Sequence, residues 1–352
     1  MNIATSDALG LYTKMVVDVY KESTKPVLFL ESFFPAVPPS PTLELAIGVV
    51  RGSEKIAVDV TRGTDGNRNT FSKSTEKIFI PPYYREYFDH TSLDFYDILF
   101  GAVSISDRMF SQIVLSSSEK MQMLVDKIRR SYEKQRGEIL DTGVMTFKDG
   151  TGQIDFKRKA GSIVDPGAGN YWANNVDLFA QLTAAGRWLR QNGKVSTYRL
   201  QAILGQEAAS DLFANTVFLA RQNNFNMKLD SINPPQRTAQ GGNYIGTVTA
   251  DEFTVDLFTY TDYYEDPDNG NALTPYLDPK LVRVMPERPQ FKMAYAAVPQ
   301  LLEPGQPPIT GDYVFTEYVD EKRRTREYHV ESAGMPIPTA IDQIYTFRAK
   351  AA

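Results

Sequence analysis

Residues 53–82 constrain this chain more than any other stretch. Residues 54–61 alternate Ile56, Val58 and Val60 with Ala57, Asp59 and Thr61, the period of a strand with one apolar face. The return over residues 71–80 is mostly Ser, Lys, Thr and Glu until Ile78. Between them Arg62, Gly63, Thr64, Asp65, Gly66, Asn67, Arg68 and Asn69 have the composition of a turn. The pattern predicts a β ribbon whose arms each reach ~25 Å at ~3.3 Å per residue. An isolated two-stranded hairpin is marginal in water, and this one has little apolar surface of its own. Something must hold it. If that partner is another copy of the chain, the protein is an assembly subunit rather than an enzyme.

The rest of the chain can build a substantial core. It has 352 residues, 42% hydrophobic and 23% charged, enough for two or three compact units. Having no cysteine, it can form no disulfide, thiolate nucleophile or cysteine-ligated metal centre. The first residues lack the basic region and apolar run of a signal peptide, and no stretch approaches the ~18 apolar residues of a membrane span. Export and membrane insertion are not expected. A net charge of -5 argues against affinity gained by neutralising phosphates. The densest basic cluster, Lys322, Arg323, Arg324 and Arg326, follows Asp320 and Glu321 and reads as a solvated hairpin turn.

Along the chain, Ser6 or Asp7 is placed to cap a short helix running to about Glu22, with Leu11, Met15 and Val19 on one face. Residues 27–35 form an aromatic run followed by Pro38, Pro39 and Pro41, which favours extended chain. An aromatic segment at 83–88 and the apolar residues 93–100 return the chain to a core. A helical region begins near Ser106 or Asp107 and is clearest over 117–140, with Met121, Leu124, Val125, Ile128, Tyr132 and Ile139 on one stripe. Residues 144–147 and 153–156 read as a hairpin, and 160–170 as a Gly-rich linker. An α/β texture follows: helices over about 175–191 and 207–222, and strands at about 197–204, 244–249, 253–260, 281–284 and 292–298. Residues 313–319 and 326–332 form a last hairpin, and 342–348 a terminal strand.

Catalytic chemistry finds little support. His90 and His329 are the only histidines, and neither has a partner motif, so both read as structural or exposed. No phosphate-binding glycine loop occurs. Asp266, Asp268 and Gly270 suggest a calcium loop, but the glycine comes one place early and Leu277 stands where a glutamate belongs, so this reads as an exposed turn. Tyr171, Trp172, Tyr260, Tyr263 and Tyr264 could line a sugar-binding surface beside some carboxylate pair. That leaves a β-rich carbohydrate-active enzyme as an alternative.

The order of elements resembles the lambda-type major head proteins of tailed bacteriophages, which share the Hong Kong 97 capsid fold. The aromatic arm from Phe29 to Pro35, the glycine-bearing tip from Arg62 to Gly66, the segment Asp256 to Tyr260 with Pro275 to Pro279, Ala296, and the closing strands 326–333 and 342–348 look like that family's patterns. The resemblance implies an α+β fold: an N-terminal arm (1–52), an extended β-ribbon loop (53–82), and a peripheral domain (83–175) with a long spine helix at about 116–140. It further implies an α/β axial domain (176–292) and return strands (293–352) completing the peripheral domain.

The function it implies is a major capsid protein without cofactor, catalytic residues or metal. Copies would assemble as hexamers and pentamers into an icosahedral virion head, in the host cytoplasm, around double-stranded DNA held without sequence-specific contacts. A cellular nanocompartment shell is the alternative within the same fold. Arg62, Asp65, Arg68, Lys73 and Lys77 are the expected inter-subunit contacts. Lys73 and Lys77 read as solvated strand residues rather than as partners in the covalent crosslink some relatives form. Because fold elements start within the first ~10 residues, leaving no long charged scaffolding segment of the kind some relatives cleave, a separate scaffolding protein is expected and a processing protease is not. A portal protein, and a decoration protein where one is present, complete the expected partners.

Overall fold

A computed structural model describes residues 28–49, 75–91, 107–147, 152–224, 236–238, 241–300 and 306–351. Arg62, Asp65, Arg68 and Lys73, and the expected helix near the N-terminus, lie outside the described residues.

The described residues open with a short turn, Leu30–Phe33, whose Leu30 is buried together with the flanking Phe29 and Phe34. It then runs extended, as its prolines require, beside a later strand: the amide of Val37 donates to the Met293 carbonyl at 2.9 Å and that of Ser40 to the Tyr295 carbonyl at 2.8 Å. Strand β1 (Leu45–Val49) follows and pairs antiparallel with β2 (Thr75–Phe79), Leu45 opposite Phe79 and Val49 opposite Thr75. The paired part of the ribbon therefore begins at Leu45, inside the segment expected to be arm, and not at residue 53. Lys77 faces Ile47 in this register.

Strand β3 (Tyr84–Thr91) alternates exposed and less exposed residues. Helix α1 (Asp107–Asp141, 35 residues) starts at Asp107, where the helical region was expected to begin, runs continuously through the 116–140 stretch expected as the spine, and spans ~52 Å. Its buried stripe is Met121, Val125, Ile128, Tyr132 and Ile139, at helical spacing. Gly137 stays in the helix because a Cβ there would lie 2.2 Å from the Tyr276 carbonyl oxygen. The hairpin β4 (Val144–Thr146) and β5 (Gln153–Asp155) comes next, then β6 (Ile163–Val164), within the segment expected to be linker.

Helix α2 (Leu178–Asn192) is capped by the Asp177 side chain, and β7 (Arg199–Leu204) follows. The single helix expected over 207–222 is two, α3 (Gln206–Ala214) and α4 (Thr216–Asn224). Asn215 breaks it: its Oδ1 accepts from the amides of Val217 at 2.9 Å and Phe218 at 3.1 Å, an internal N-cap. Strands β8 (Gln236–Arg237), β9 (Asn243–Ala250) and β10 (Phe253–Thr259) follow. The exposed turn expected at Asp266, Asp268 and Gly270 belongs to a hairpin, β11 (Tyr263–Asp266) and β12 (Ala272–Pro275). The remaining strands are β13 (Leu281–Pro286), β14 (Phe291–Tyr295), β15 (Val314–Asp320), β16 (Thr325–Ser332), β17 (Gly334–Pro338) and β18 (Tyr345–Arg348).

Seven strands form one sheet in the order β6-β18-β13-β7-β10-β9-β8, with β7 and β10 parallel. Alternate residues of its central strands belong to different cores. Leu204, Val284 and Tyr345 join the core under α2 and α3, whereas Ile203, Met285 and Ile344 join the core around α1. Both faces of β7 and β13 are covered, so nearly every residue of the two strands is buried, Gln201 and Arg283 included. The closing strands divide accordingly. β14 pairs with β17, and β15 with β16 and β3, around α1, but β18 lies in the seven-stranded sheet between β13 and β6 and does not complete the unit around α1. Trading sheets there is a matter of parity, since Ile344 and Tyr345 point to opposite sides.

Candidate assembly interface

Three structures frame the surfaces this chain can offer to another molecule. The first is a lock at the C-terminal end of α1. The last carbonyls of a helix have no intrahelical donors, and here Arg158 supplies donors to two of them. Arg158 Nη1 donates to the carbonyls of Leu140 at 3.1 Å and Asp141 at 3.2 Å, while its Nη2 reaches the Ile344 carbonyl at 3.0 Å and Thr346 Oγ1 at 3.1 Å. Arg283, buried in β13, pairs through Nε with the Asp141 carboxylate and donates to the carbonyls of Leu281 at 3.1 Å and Asp278 at 2.9 Å. The helix end is thereby tied to β13 and β18. Burial lowers the Arg158 guanidinium to about 10.

The second is an anchor for the N-terminal segment. Glu133 is fully buried on α1 and accepts from the Leu30 amide at 2.7 Å and the Tyr260 hydroxyl at 3.0 Å, beside Arg136 at 3.1 Å. Burial pushes its carboxyl above the ordinary glutamate range, against the pull of Arg136, the Leu30 amide and Tyr260. Arg129 adds an ion pair to Glu31 at 2.6 Å. Phe29 packs against Phe258 and Tyr260, so aromatic contact and charge hold the segment together.

The third is the sheet β15-β16-β3. Its inner face meets α1: Tyr84 sits edge-on to Tyr132, Phe88 stacks on Tyr328, and His90 Nε2 lies 3.2 Å from Ser117 Oγ. On its outer face His329 is sandwiched, stacked on Tyr87 and edge-on to Tyr318. Arg85 Nε donates to His329 Nδ1 at 3.1 Å, which places the ring proton on Nε2, 3.0 Å from Glu327. Both histidines thus serve packing.

Two-stranded pieces extend from this frame. The β1–β2 stem buries Leu45, and Phe79 faces Phe156 with centroids 6.1 Å apart, but Leu43 and Ile80 stay 55% and 70% exposed. The β11–β12 hairpin turns through a short helical tip, Pro267–Asn269, where the Asp266 side chain accepts the Asp268 amide. That carboxylate acts as a cap in the turn anticipated there. The aromatic residues considered for sugar binding do not form one surface: Trp172 lies in the core under α2, Tyr260 in the core around α1, and Tyr171 bonds to Asp165. Among the described residues no cluster of three metal-ligating side chains occurs, and no helix is long and apolar enough to cross a membrane. Sequence reasoning missed the lock altogether, since Arg158, Asp141 and Arg283 carry no local pattern that joins them.

Two cores sharing one seven-stranded sheet, with two-stranded pieces extending from them, form a frame of the capsid-like, self-assembling shell type, as comparison with known proteins shows. The model of the family described as phage major capsid protein E matches residues 17–349, and the chain belongs to that family. Its α+β fold is related to the Hong Kong 97 capsid architecture, and its role is structural rather than enzymatic. A protein from Escherichia coli CFT073 assigned as a prophage capsid protein has a similar structure, with TM-score 0.65 at 15% identity over 99% of this chain and 100% of that one. A phage-related protein from Bordetella bronchiseptica RB50 has TM-score 0.52 at 10% identity over 96% of each chain. No protein of curated function matches the chain.

Proposed function

We propose that this chain is the major capsid protein of a tailed double-stranded DNA bacteriophage, its copies joining as hexamers and pentamers into an icosahedral head assembled in the host cytoplasm. The family match over residues 17–349 carries this reading. In it α1 is the spine of a peripheral domain, the α2–β13 region the axial domain, and the segment between β1 and β2 the extended loop that reaches a neighbour. Arg62, Asp65, Arg68, Lys73 and Lys77 are its proposed contact residues. A separate scaffolding protein, a portal protein and, where present, a decoration protein are its partners, and DNA is enclosed without sequence-specific contacts.

The physical logic is division of labour. A shell needs many identical contacts that bend differently at different positions, which heterologous contacts through pliable strands provide. Exposed charge pairs contribute only ~0–1 kcal/mol each, so a closed shell draws its stability from repetition and buried apolar area. The frame must not deform as those contacts adjust, and the arginine lock between α1 and the seven-stranded sheet serves that need.

The test is electron microscopy of the purified chain, alone and with its scaffolding partner. Closed shells are expected with the partner, and a monomer in every condition would sink the reading. Deleting residues 62–69 should leave the circular dichroism spectrum unchanged and abolish closed shells. Normal shell yield from that variant would remove the ribbon from the mechanism.

A further inference from the structure

Two exposed hairpins at different places on the frame carry apolar surface and opposite charge. The outward face of β11–β12 presents Tyr263 and Leu273, 45% and 71% exposed, while Tyr264 turns inward against Tyr276. Its acids are Asp262, Glu265, Asp266 and Asp268, and no Lys or Arg occurs between residues 253 and 279. The β15–β16 hairpin has Val319 61% exposed beside a turn bearing Lys322, Arg323 and Arg324, with Arg326 opposite Val319 on β16. Arg323 is paired with Asp320 and Arg326 with Glu317, whereas Lys322 and Arg324 are exposed and form no ion pair among the described residues.

These surfaces cannot meet within one chain. The acidic hairpin lies over the late part of α1, where the Lys134 ammonium is 5.7 Å from the Tyr264 ring. The basic turn lies toward the other end: Arg326 is opposite His90, which touches Ser117. From residue 117 to 134 the helix advances about 26 Å. Nor can two copies join through like hairpins, because acidic tips would face acidic tips.

We infer that the two hairpins are the halves of one head-to-tail contact between neighbouring copies: the Tyr263 and Leu273 face of β11–β12 seats on Val319 and the Lys322 and Arg324 turn of the next chain. The inference rests on the shell reading and names one of its interfaces. A contact between unlike patches is heterologous and propagates around a ring, as a capsomer requires. Apolar area supplies contact and charge sets the orientation, so the interface weakens as salt rises.

The absence of native cysteine makes the test clean. Leu273→Cys and Val319→Cys are placed together in the full chain, shells are assembled, and a short bis-maleimide is added. A ladder of crosslinked multimers is expected from the double variant, and none from either single variant. Normal shells that give no ladder overturn the head-to-tail contact and leave the shell reading standing; a chain that never assembles overturns both. Charge reversal offers a second route: Lys322→Glu should lower shell yield and adding Glu265→Lys should restore it, whereas unchanged yield from Lys322→Glu argues against the pairing.

Discussion

The C-terminal end of α1 and the β1–β2 stem are built on opposite principles. At the helix end, the buried Arg283 and the partly buried Arg158 meet a carboxylate and seven carbonyls or hydroxyls drawn from α1, β13, β18 and the loops between them. Buried charges tolerate little displacement, because each lost partner leaves an uncompensated group in a low-dielectric interior. At the stem, two strands pair with each other and with no further strand among the described residues, Leu45 is buried, and Leu43 and Ile80 remain in solvent. Backbone pairing of this kind is easily strained and reformed. The contrast separates a junction of two cores held by many coupled polar contacts from a stem held by one strand ladder and few buried side chains.

The largest effect should come from breaking the lock. Arg283→Ala removes the partner of the Asp141 carboxylate and the donors to the Leu281 and Asp278 carbonyls together. A loss of about 3–5 kcal/mol in folding stability is expected from denaturant unfolding of the monomer. A loss below ~1 kcal/mol, the range of an exposed ion pair, would mean that the lock adds no more than a surface contact.

A middling effect belongs to Glu133, which joins the N-terminal segment to the same helix. Glu133→Gln keeps an acceptor for Leu30 and Tyr260 but takes the carboxylate from Arg136, costing about 1.5–3 kcal/mol. The pH dependence has a definite sign. Burial holds the carboxyl above its ordinary range, so between the unfolded and folded pKa values the folded chain binds more protons than the unfolded one. Stability from this group therefore falls as pH rises through that window. Because glutamine does not titrate, the margin of the native chain over the variant should widen as pH is lowered from neutral toward the ordinary glutamate range. A margin that narrows would show that Arg136 outweighs burial.

Much of this contrast could be read from the sequence on one side and little on the other. The stripe Met121, Val125, Ile128, Tyr132 and Ile139 placed α1 and its buried face, because helical periodicity is local. The hairpins β4–β5 and β15–β16 were likewise local and legible. The lock was not: Asp141, Arg158 and Arg283 are far apart in sequence, and a buried arginine looks like any other until its partners are in place. The division of the helix at Asn215 escaped for a related reason, since only packing shows that the side chain turns back to cap the next turn while donating to Trp172 and Val176. Membership of β18 in the seven-stranded sheet was hidden because the alternation of Tyr345 and Phe347 with Thr346 and Arg348 shows one apolar face but not which of two cores that face meets.

The smallest effect on stability, and the sharpest test of the comparison, lies at the stem. Ile80 and Leu43 are large apolar side chains left in solvent at the root of the ribbon. In a monomer they contribute almost nothing, so Ile80→Ser and Leu43→Ser should each change folding stability by no more than about 0.5 kcal/mol. In a shell the same side chains are available for burial against a neighbour, where a fully covered side chain contributes about 1.5–3 kcal/mol per copy, multiplied over every subunit. The two serine variants should therefore unfold like the native chain yet assemble poorly, with fewer closed shells at a given protein concentration. Variants that unfold early would place the stem within the rigid frame and erase the distinction drawn above. Variants that unfold normally and assemble normally would leave the stem a tether, and the contact would have to lie in the residues it carries.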